Sequence, residues 1–361
     1  MTTQKGYTIA PIDSWLPAVA KPLIISGPCS AESREQVLET ARQLHNTGIV
    51  SAFRAGIWKP RTKPNMFEGH GEKALEWLKE VKNLYGFPIA VEVATPAHVE
   101  VCLEYGIDIF WIGARTGVNP FSMKELAEVL KGVDIPLMIK NPLSPDLALW
   151  AGNIERFLMN GNNKLAAIHR GFNTYEKTKY RNMPLWSIVV ELKTLIPGLP
   201  VICDPSHISG RRDLIQDISQ HALYLAMNGL MIEAHMDPTN ALTDASQQIT
   251  PETLKTIASQ LKILTPEDNN PNHEIALLRK QIDELDSQLF RTIANRLAVV
   301  KEIAKIKKNH KMTILQLTRW NQILQNRVNE GMEMGIEENF VRELLALIHN
   351  ASIELQSKIM E

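Results

Sequence analysis

Residues 23–30 read Leu23-Ile24-Ile25-Ser26-Gly27-Pro28-Cys29-Ser30. The apolar run is too short for a helix and too uniformly apolar for a sheet with one wet face. It reads as a strand buried on both sides, with a thiol presented just past its end. The design recurs at 51–55, 88–93, 109–113, 136–140, 165–169, 200–203 and 230–234, giving eight candidate strands. Amphipathic stretches such as 35–46, 72–84, 96–105 and 122–131 lie between them, and Thr250 before Pro251 marks the N-cap and first residue of an eighth helix. Eight β-α repeats in roughly 250 residues are the arithmetic of a TIM (β/α)8 barrel. A doubly wound open sheet is the competing α/β architecture. It would carry a glycine-rich phosphate turn after the first strand, which Gly27-Pro28-Cys29-Ser30 is not.

The pattern stops at residues 265–273, TPEDNNPNH, a polar stretch with two prolines and no apolar residue that reads as a linker. Beyond it Ile275, Leu278, Ile282, Leu285, Leu289, Ile293, Leu297, Val300 and Ala304 recur at three- and four-residue steps. That spacing predicts one long amphipathic helix over 273–308, followed by helices at 315–330 and 337–360 separated by Gly331-Met332-Glu333-Met334-Gly335. The expected organisation is a barrel over 1–264, the linker, and an all-helical domain over 274–361. So long a helix cannot bury its stripe on two shorter partners, so this domain is expected to form a homodimer.

Composition narrows the function. Of 361 residues, 39 are Lys or Arg and 40 are Asp or Glu, so no global basic field exists to hold nucleic acid or an anionic membrane. No apolar run approaches the roughly 18 residues of a spanning helix, and the first residues lack a secretion signal. Three cysteines, none in a CxxC, exclude a disulfide scaffold and point to a reducing cytoplasm.

Barrel enzymes place their chemistry at the C-terminal ends of the strands. Here those ends carry Cys29; Arg54 with Lys59-Pro60-Arg61-Thr62; Arg115; Lys140; His169-Arg170; Asp204-Pro205-Ser206-His207; and Glu233, with Asp244 in the last loop. Cys29, His207, Glu233 and Asp244 form a mixed S/N/O set suited to one divalent ion, with manganese, iron, cobalt and zinc all admissible. Any of them alone is more readily a buried thiol or a surface polar group; convergence on one rim is what makes a site. Arg54, Lys59, Arg61, Arg115, Lys140 and Arg170 would repel one another unless they face a strongly anionic ligand, although some could pair with local acids. A metal beside a polyanion site suggests polarisation of a carbonyl. A Schiff-base route through Lys59 or Lys140 would leave the metal without a task.

The motifs GPCS, RAGIWKPRT, WIGART, LMIKNP, HRG, CDPSHISGRR and MIEAH…DPTNALTDASQ, in order across 21–264, resemble the type Iβ 3-deoxy-D-arabino-heptulosonate 7-phosphate (DAHP) synthases. The resemblance implies condensation of phosphoenolpyruvate with erythrose 4-phosphate, the first step of the shikimate route, on a TIM barrel with one divalent metal. It implies that Cys29, His207, Glu233 and Asp244 bind the metal. Arg54, Lys59, Arg115, Lys140 and Arg170 would hold phosphoenolpyruvate, with Lys59 and Lys140 catalytic, and Arg61 and Thr62 would meet erythrose 4-phosphate. The chain departs from the family in Lys63 after KPRT and in Gly69-His70-Gly71. A related family using arabinose 5-phosphate carries an asparagine variant of KPRT, so the intact motif favours erythrose 4-phosphate.

The run LLRKQIDELDSQLFRTIANRLAVVKEIAKIK, with Ser352 and Gln356, resembles the all-helical chorismate mutases. Spacing is informative here. Arg279 and Arg296 are 17 residues apart, about 25 Å along a helix, so one helix cannot bring both to one small molecule. Arg296 and Lys307 share a face, as do Ser352 and Gln356. The resemblance implies an intertwined dimer in which Arg279 serves the partner's site. Arg296, Lys307 and Gln356 would catalyse rearrangement of chorismate to prephenate, with Arg319 and Ser352 contacting substrate. The family's Asp-x-x-Arg-Glu run reads Gln316-Leu317-Thr318-Arg319-Trp320 here, keeping Arg319 and losing both acids. The alternative expectation is a DAHP synthase whose helical domain only dimerises and senses chorismate or prephenate. In either case ligand on the helical domain is expected to regulate the barrel allosterically.

Overall fold

A computed structural model of the chain describes residues 7–60, 65–175, 178–264 and 273–361. Its first part is a closed barrel of eight parallel strands in sequence order: β1 (Leu23–Gly27), β2 (Ala52–Ala55), β3 (Ile89–Val93), β4 (Ile109–Ile112), β5 (Leu137–Lys140), β6 (Leu165–His169), β7 (Val201–Cys203) and β8 (Gly229–Glu233). The ring closes where β8 pairs with β1, Gly27 lying opposite Glu233. Around it run α1 (Arg34–Thr47), α2 (Glu72–Tyr85), α3 (Pro96–Glu104), α4 (Pro120–Val129), α5 (Leu147–Met159), α6 (Trp186–Leu195), the short α7 (Pro205–Ser209), α8 (Ile215–Tyr224) and α9 (Pro251–Gln260). Asn119 caps α4 before Pro120, two residues ahead of the predicted start. Thr250 caps α9 as expected, its hydroxyl accepting the Thr253 N–H at 3.1 Å.

Strand periodicity sorts the core into two. Leu23, Ile25, Ala52, Ala90, Ile109, Trp111, Met138, Ala166, Ile168, Ile202 and Met231 point inward and fill the barrel. Their neighbours, among them Ile24, Phe53, Phe110, Ile112, Leu137 and Ile139, face the helices in a second, larger cluster. Trp15 and Leu16, ahead of β1, pack on the inner cluster. Followed two residues at a time, the inward row ends in Arg54, Glu92, Lys140, Arg170, Asp204 and Glu233. Strand pleating thus changes the interior from hydrocarbon to charge at the C-terminal mouth.

Contacts divide the chain into two compact units, Met1–Pro266 and Glu267–Glu361. Of the predicted linker at 265–273, residues 265–272 lie outside the described residues, as do Arg61, Thr62 and Lys63, and His273 opens the helix that follows. The second unit holds α10 (His273–Asn309), α11 (Leu317–Glu333) and α12 (Glu338–Met360). α11 runs past the predicted break at Gly331, because that glycine is buried against α12: a Cβ there would meet Val341 Cγ2 at 2.6 Å. Gly335, with φ 81°, stops the helix instead. No helix among the described residues is long and apolar enough to cross a membrane.

Candidate active sites

Cys29, in the loop after β1, is buried and faces two carboxylates from the last strand of the barrel and the loop after it. Its sulfur, an oxygen of Glu233 and an oxygen of Asp244 all lie within 4.8 Å of one another. Cys29 Sγ is 3.4 Å from Asp244 Oδ2. His207 stands beside this trio, its Nε2 3.8 Å from Glu233 Oε1. The sequence set of four is therefore brought together, three tightly and the imidazole at the edge.

The positions of these groups follow from local structure. Asp204 opens α7 as its N-cap, accepting the His207 N–H on Oδ1 at 3.1 Å. Its Oδ2 lies 2.8 Å from His207 Nδ1 and 2.9 Å from the Lys140 ammonium. A carboxylate behind a histidine ring fixes which nitrogen faces forward, a common support for a metal-binding imidazole. Burial alone would raise the Asp204 carboxyl, but the His207 ring and Lys140 outweigh it and hold it well below the ordinary range. Arg54 donates to Glu233 Oε1 at 2.8 Å, and both side chains are sealed from solvent. Its guanidinium also lies over the Trp111 ring at 4.9 Å. Two of the strand-end cations, Arg54 and Lys140, are thus paired with buried acids.

Lys59 donates to the Cys29 carbonyl and reaches within 3.2 Å of its sulfur. A glycine at 56 makes room for it, since a Cβ there would meet Lys59 Nζ at 2.5 Å. Burial, then the charge on Glu233, pushes the Cys29 thiol up to about 12, with Lys59 opposing. Asp244 has a left-handed backbone, φ 47°. Burial works against its ionisation, yet the Arg181 guanidinium at 3.0 Å, with His207 and Lys59, holds it well below the usual carboxylate range. A thiol, an imidazole and two ionised carboxylates in one polar pocket fit a divalent transition metal, which would also draw the proton off the thiol.

Next to this cluster a small cavity is lined by Pro60, Glu92, Arg115, Lys140, Arg170 and His207 among others. Arg170 is buried, its Nη1 donating to Asn182 Oδ1 at 2.8 Å. Asn141 ties the β5 and β6 loops by accepting the Arg170 N–H at 2.7 Å and donating to Gly171 O at 2.8 Å.

Asp204 stands among the strand-end groups of the sequence but without a role there, and Glu92, Arg181, Asn141 and Asn182 are additions from the structure. For Asp204 and Glu92 the signal was present: each is two residues beyond an inward-facing apolar residue of its strand. Arg181 comes from a long loop with no such parity to follow.

In the helical unit, Arg296 Nη1 donates to Ser352 Oγ at 2.7 Å and Lys307 Nζ to the Ile314 carbonyl at 2.5 Å. Lys307, Ser352 and Gln356 are buried, and Gln356 Oε1 has no hydrogen-bond partner among the described residues. Trp320 stacks on His349, centroids 3.9 Å apart. His349 shares the α12 face of Ser352 and Gln356; burial, then the charges of Arg296 and Lys307, lowers its basicity. Arg279 lies near the start of α10, in its exposed half, and Arg319 is exposed on α11.

Fold and site together define an enzyme of two parts: a barrel with a cation-lined cavity beside a candidate metal centre, and a helical unit in which Arg296 and Lys307 lie on one helix face. Residues 19–268 match the model of the DAHP synthetase I family, and residues 278–357 match chorismate mutase type II. The chain belongs to the DAHP synthetase I family and is a bifunctional enzyme, a DAHP synthase joined to a chorismate mutase. It is 34% identical over 241 residues to the phospho-2-dehydro-3-deoxyheptonate aldolase of Thermotoga maritima, covering 67% of this chain and 69% of that one. A crystal structure of phospho-2-dehydro-3-deoxyheptonate aldolase (DAHP synthase) from the same organism superposes with a TM-score of 0.62 at 31% identity, covering 72% of this chain and 77% of that chain. The 2-dehydro-3-deoxyphosphooctonate aldolase of Brucella ovis is 26% identical over 247 residues, 63% of this chain and 84% of that protein.

Proposed function

We propose that the barrel condenses phosphoenolpyruvate with erythrose 4-phosphate to DAHP using one divalent ion held by Cys29, His207, Glu233 and Asp244. We propose equally that the helical unit rearranges chorismate to prephenate. The observation carrying the first reading is the meeting of Cys29 with Glu233 and Asp244 beside a cationic cavity. An ion bound there would polarise the aldehyde carbonyl. Arg115, Lys140 and Arg170 line the space for the phosphate and carboxylate of phosphoenolpyruvate, and Arg61-Thr62 would receive erythrose 4-phosphate. Lys59, beside the Cys29 sulfur, would hold its negative charge and orient the reacting enolpyruvate. Arg54 would act from behind by fixing Glu233. The enolpyruvate methylene attacks the aldehyde, water adds to the resulting cationic carbon, and phosphate leaves.

The mutase reading needs no nucleophile. Arg296, with Arg279 of a second copy, would grip two carboxylates. Lys307 and the Gln356 amide, whose Nε2 donates to the Ser352 carbonyl at 3.2 Å, would face the breaking ether bond. Arg319 and Ser352 would complete the contacts. A homodimer through the helical unit and a cytoplasmic location belong to the same proposal.

A second reading, in which the helical unit only senses chorismate or prephenate, has one observation in its favour: Trp320 is stacked on His349 where the family has an acid. Assays of the full chain separate the two. Both condensation and mutase turnover are expected, arabinose 5-phosphate is expected to be a poor substitute, and added prephenate is expected to slow condensation. Condensation without mutase turnover would leave the sensing module. Preference for arabinose 5-phosphate would contradict the barrel assignment.

A further inference from the structure

Two consecutive amides in the loop after β8, Gln247 and Gln248, are fully buried and serve opposite sides. Gln248 Oε1 accepts the backbone N–H of Cys29 at 2.9 Å, and its Nε2 donates to the Thr243 carbonyl at 2.8 Å. Gln247 Nε2 donates to Glu233 Oε2 at 2.7 Å, while its Oε1 accepts from Arg181 at 2.7 Å. The same guanidinium nitrogen holds Asp244 Oδ1 at 3.0 Å. Every member of the Cys29–Glu233–Asp244 trio is thereby tied, directly or through one neighbour, to this dipeptide.

The tie has work to do. Cys29 and Asp244 are 215 residues apart in the chain and sit on different loops. Asp244 is in a left-handed conformation, φ 47°, uncommon for a residue other than glycine and favoured when its surroundings hold it. Other direct links join the two loops near this point: a 2.6 Å hydrogen bond between the Ser30 and Thr243 hydroxyls, and the Leu242 N–H donating to Glu32 Oε1 at 2.9 Å.

We propose that Gln248 is a positioning residue of the metal centre: bonded at both ends, it sets the reach between the Cys29 loop and the Asp244 loop and so the tightness with which an ion is held. The proposal rests on the metal reading above. A shorter amide cannot span both partners. A carboxylate of the same length keeps the acceptor for Cys29 but loses the donor to Thr243.

The test uses the full chain, stripped with chelator and titrated with cobalt(II), following the thiolate-to-cobalt absorption and, separately, thermal unfolding of the metal-free protein. Gln248→Asn and Gln248→Glu are each expected to weaken cobalt binding about 10- to 100-fold and to diminish the thiolate absorption. The metal-free melting temperature should fall by a few degrees, since each variant leaves a buried group unpaired. Wild-type affinity and absorption in either folded variant would overturn the proposal, as would a loss of affinity no greater than the loss of metal-free stability. A wild-type chain without thiolate absorption would remove the metal reading and this proposal together, whereas normal wild-type absorption with unchanged variants would remove the role of Gln248 alone.

Discussion

His169 and Arg170 are adjacent at the end of β6 and face opposite ways. Arg170 continues the inward row, while His169 points outward into the aromatic layer of Trp150, Phe172 and Trp186, fully buried. Burial first, and the Arg170 guanidinium second, drive its basicity down to about 3 from 6.5. The unfolded chain therefore takes up a proton near pH 6.5 that the folded barrel refuses until about pH 3. The stabilising contribution is complete above the unfolded value and shrinks by about 1.4 kcal/mol per pH unit as acid is added through that window. Urea unfolding at pH 7 and pH 5 should show this group costing about 2 kcal/mol, a slope that His169→Phe removes. An identical pH response in the variant would contradict the burial argument. The residue pair also marks how far the site was legible. Cys29, His207, Glu233 and Asp244 were readable because strand ends in a barrel share one rim. Asp204 was readable at its strand end, its inward aim only through strand parity. Arg181, Asn182 and Gln248 act through contacts made by irregular loops, whose course no periodicity encodes.

At the scale of elements, the strands were legible nearly to the residue, because a fully buried parallel strand is a short apolar run with abrupt ends. Helix ends were less so. α11 passes through Gly331 because tertiary contact with Val341 rewards the absence of a side chain and overrides the weak helix propensity of glycine. α10 carries the clearest unmet requirement. Ile275, Leu278, Ile282, Leu285 and Leu289 are all at least 40% exposed along one stripe. Covering the exposed half of each is worth on the order of 1 kcal/mol, so a second copy laid along this stripe would be favoured. Leu285→Glu combined with Leu289→Glu should convert a dimer to monomer in sedimentation and abolish mutase turnover, because Arg279 would no longer reach a partner's site. Condensation by the barrel should persist. A double variant that sediments as wild type would show that this stripe is covered by something else.

For the whole molecule, one chain joins two sites with different physical demands. The barrel mouth needs a low-polarity wall to focus charge, and closed-barrel pleating supplies it by ending hydrocarbon rows in Arg54, Lys140, Asp204 and Glu233. The helical unit needs only fixed cations and amides, which three helices can present. Division into these two parts was readable from the break in periodicity at 265–273. The measurement that bears most directly on the central claim is condensation of phosphoenolpyruvate with erythrose 4-phosphate by the chelated full chain as manganese(II) is returned in known amounts. The account predicts no turnover without metal and full recovery at one ion per barrel, with Cys29→Ala failing to recover at that ratio. Full turnover after chelation, or recovery by Cys29→Ala at the same ratio as wild type, would contradict it.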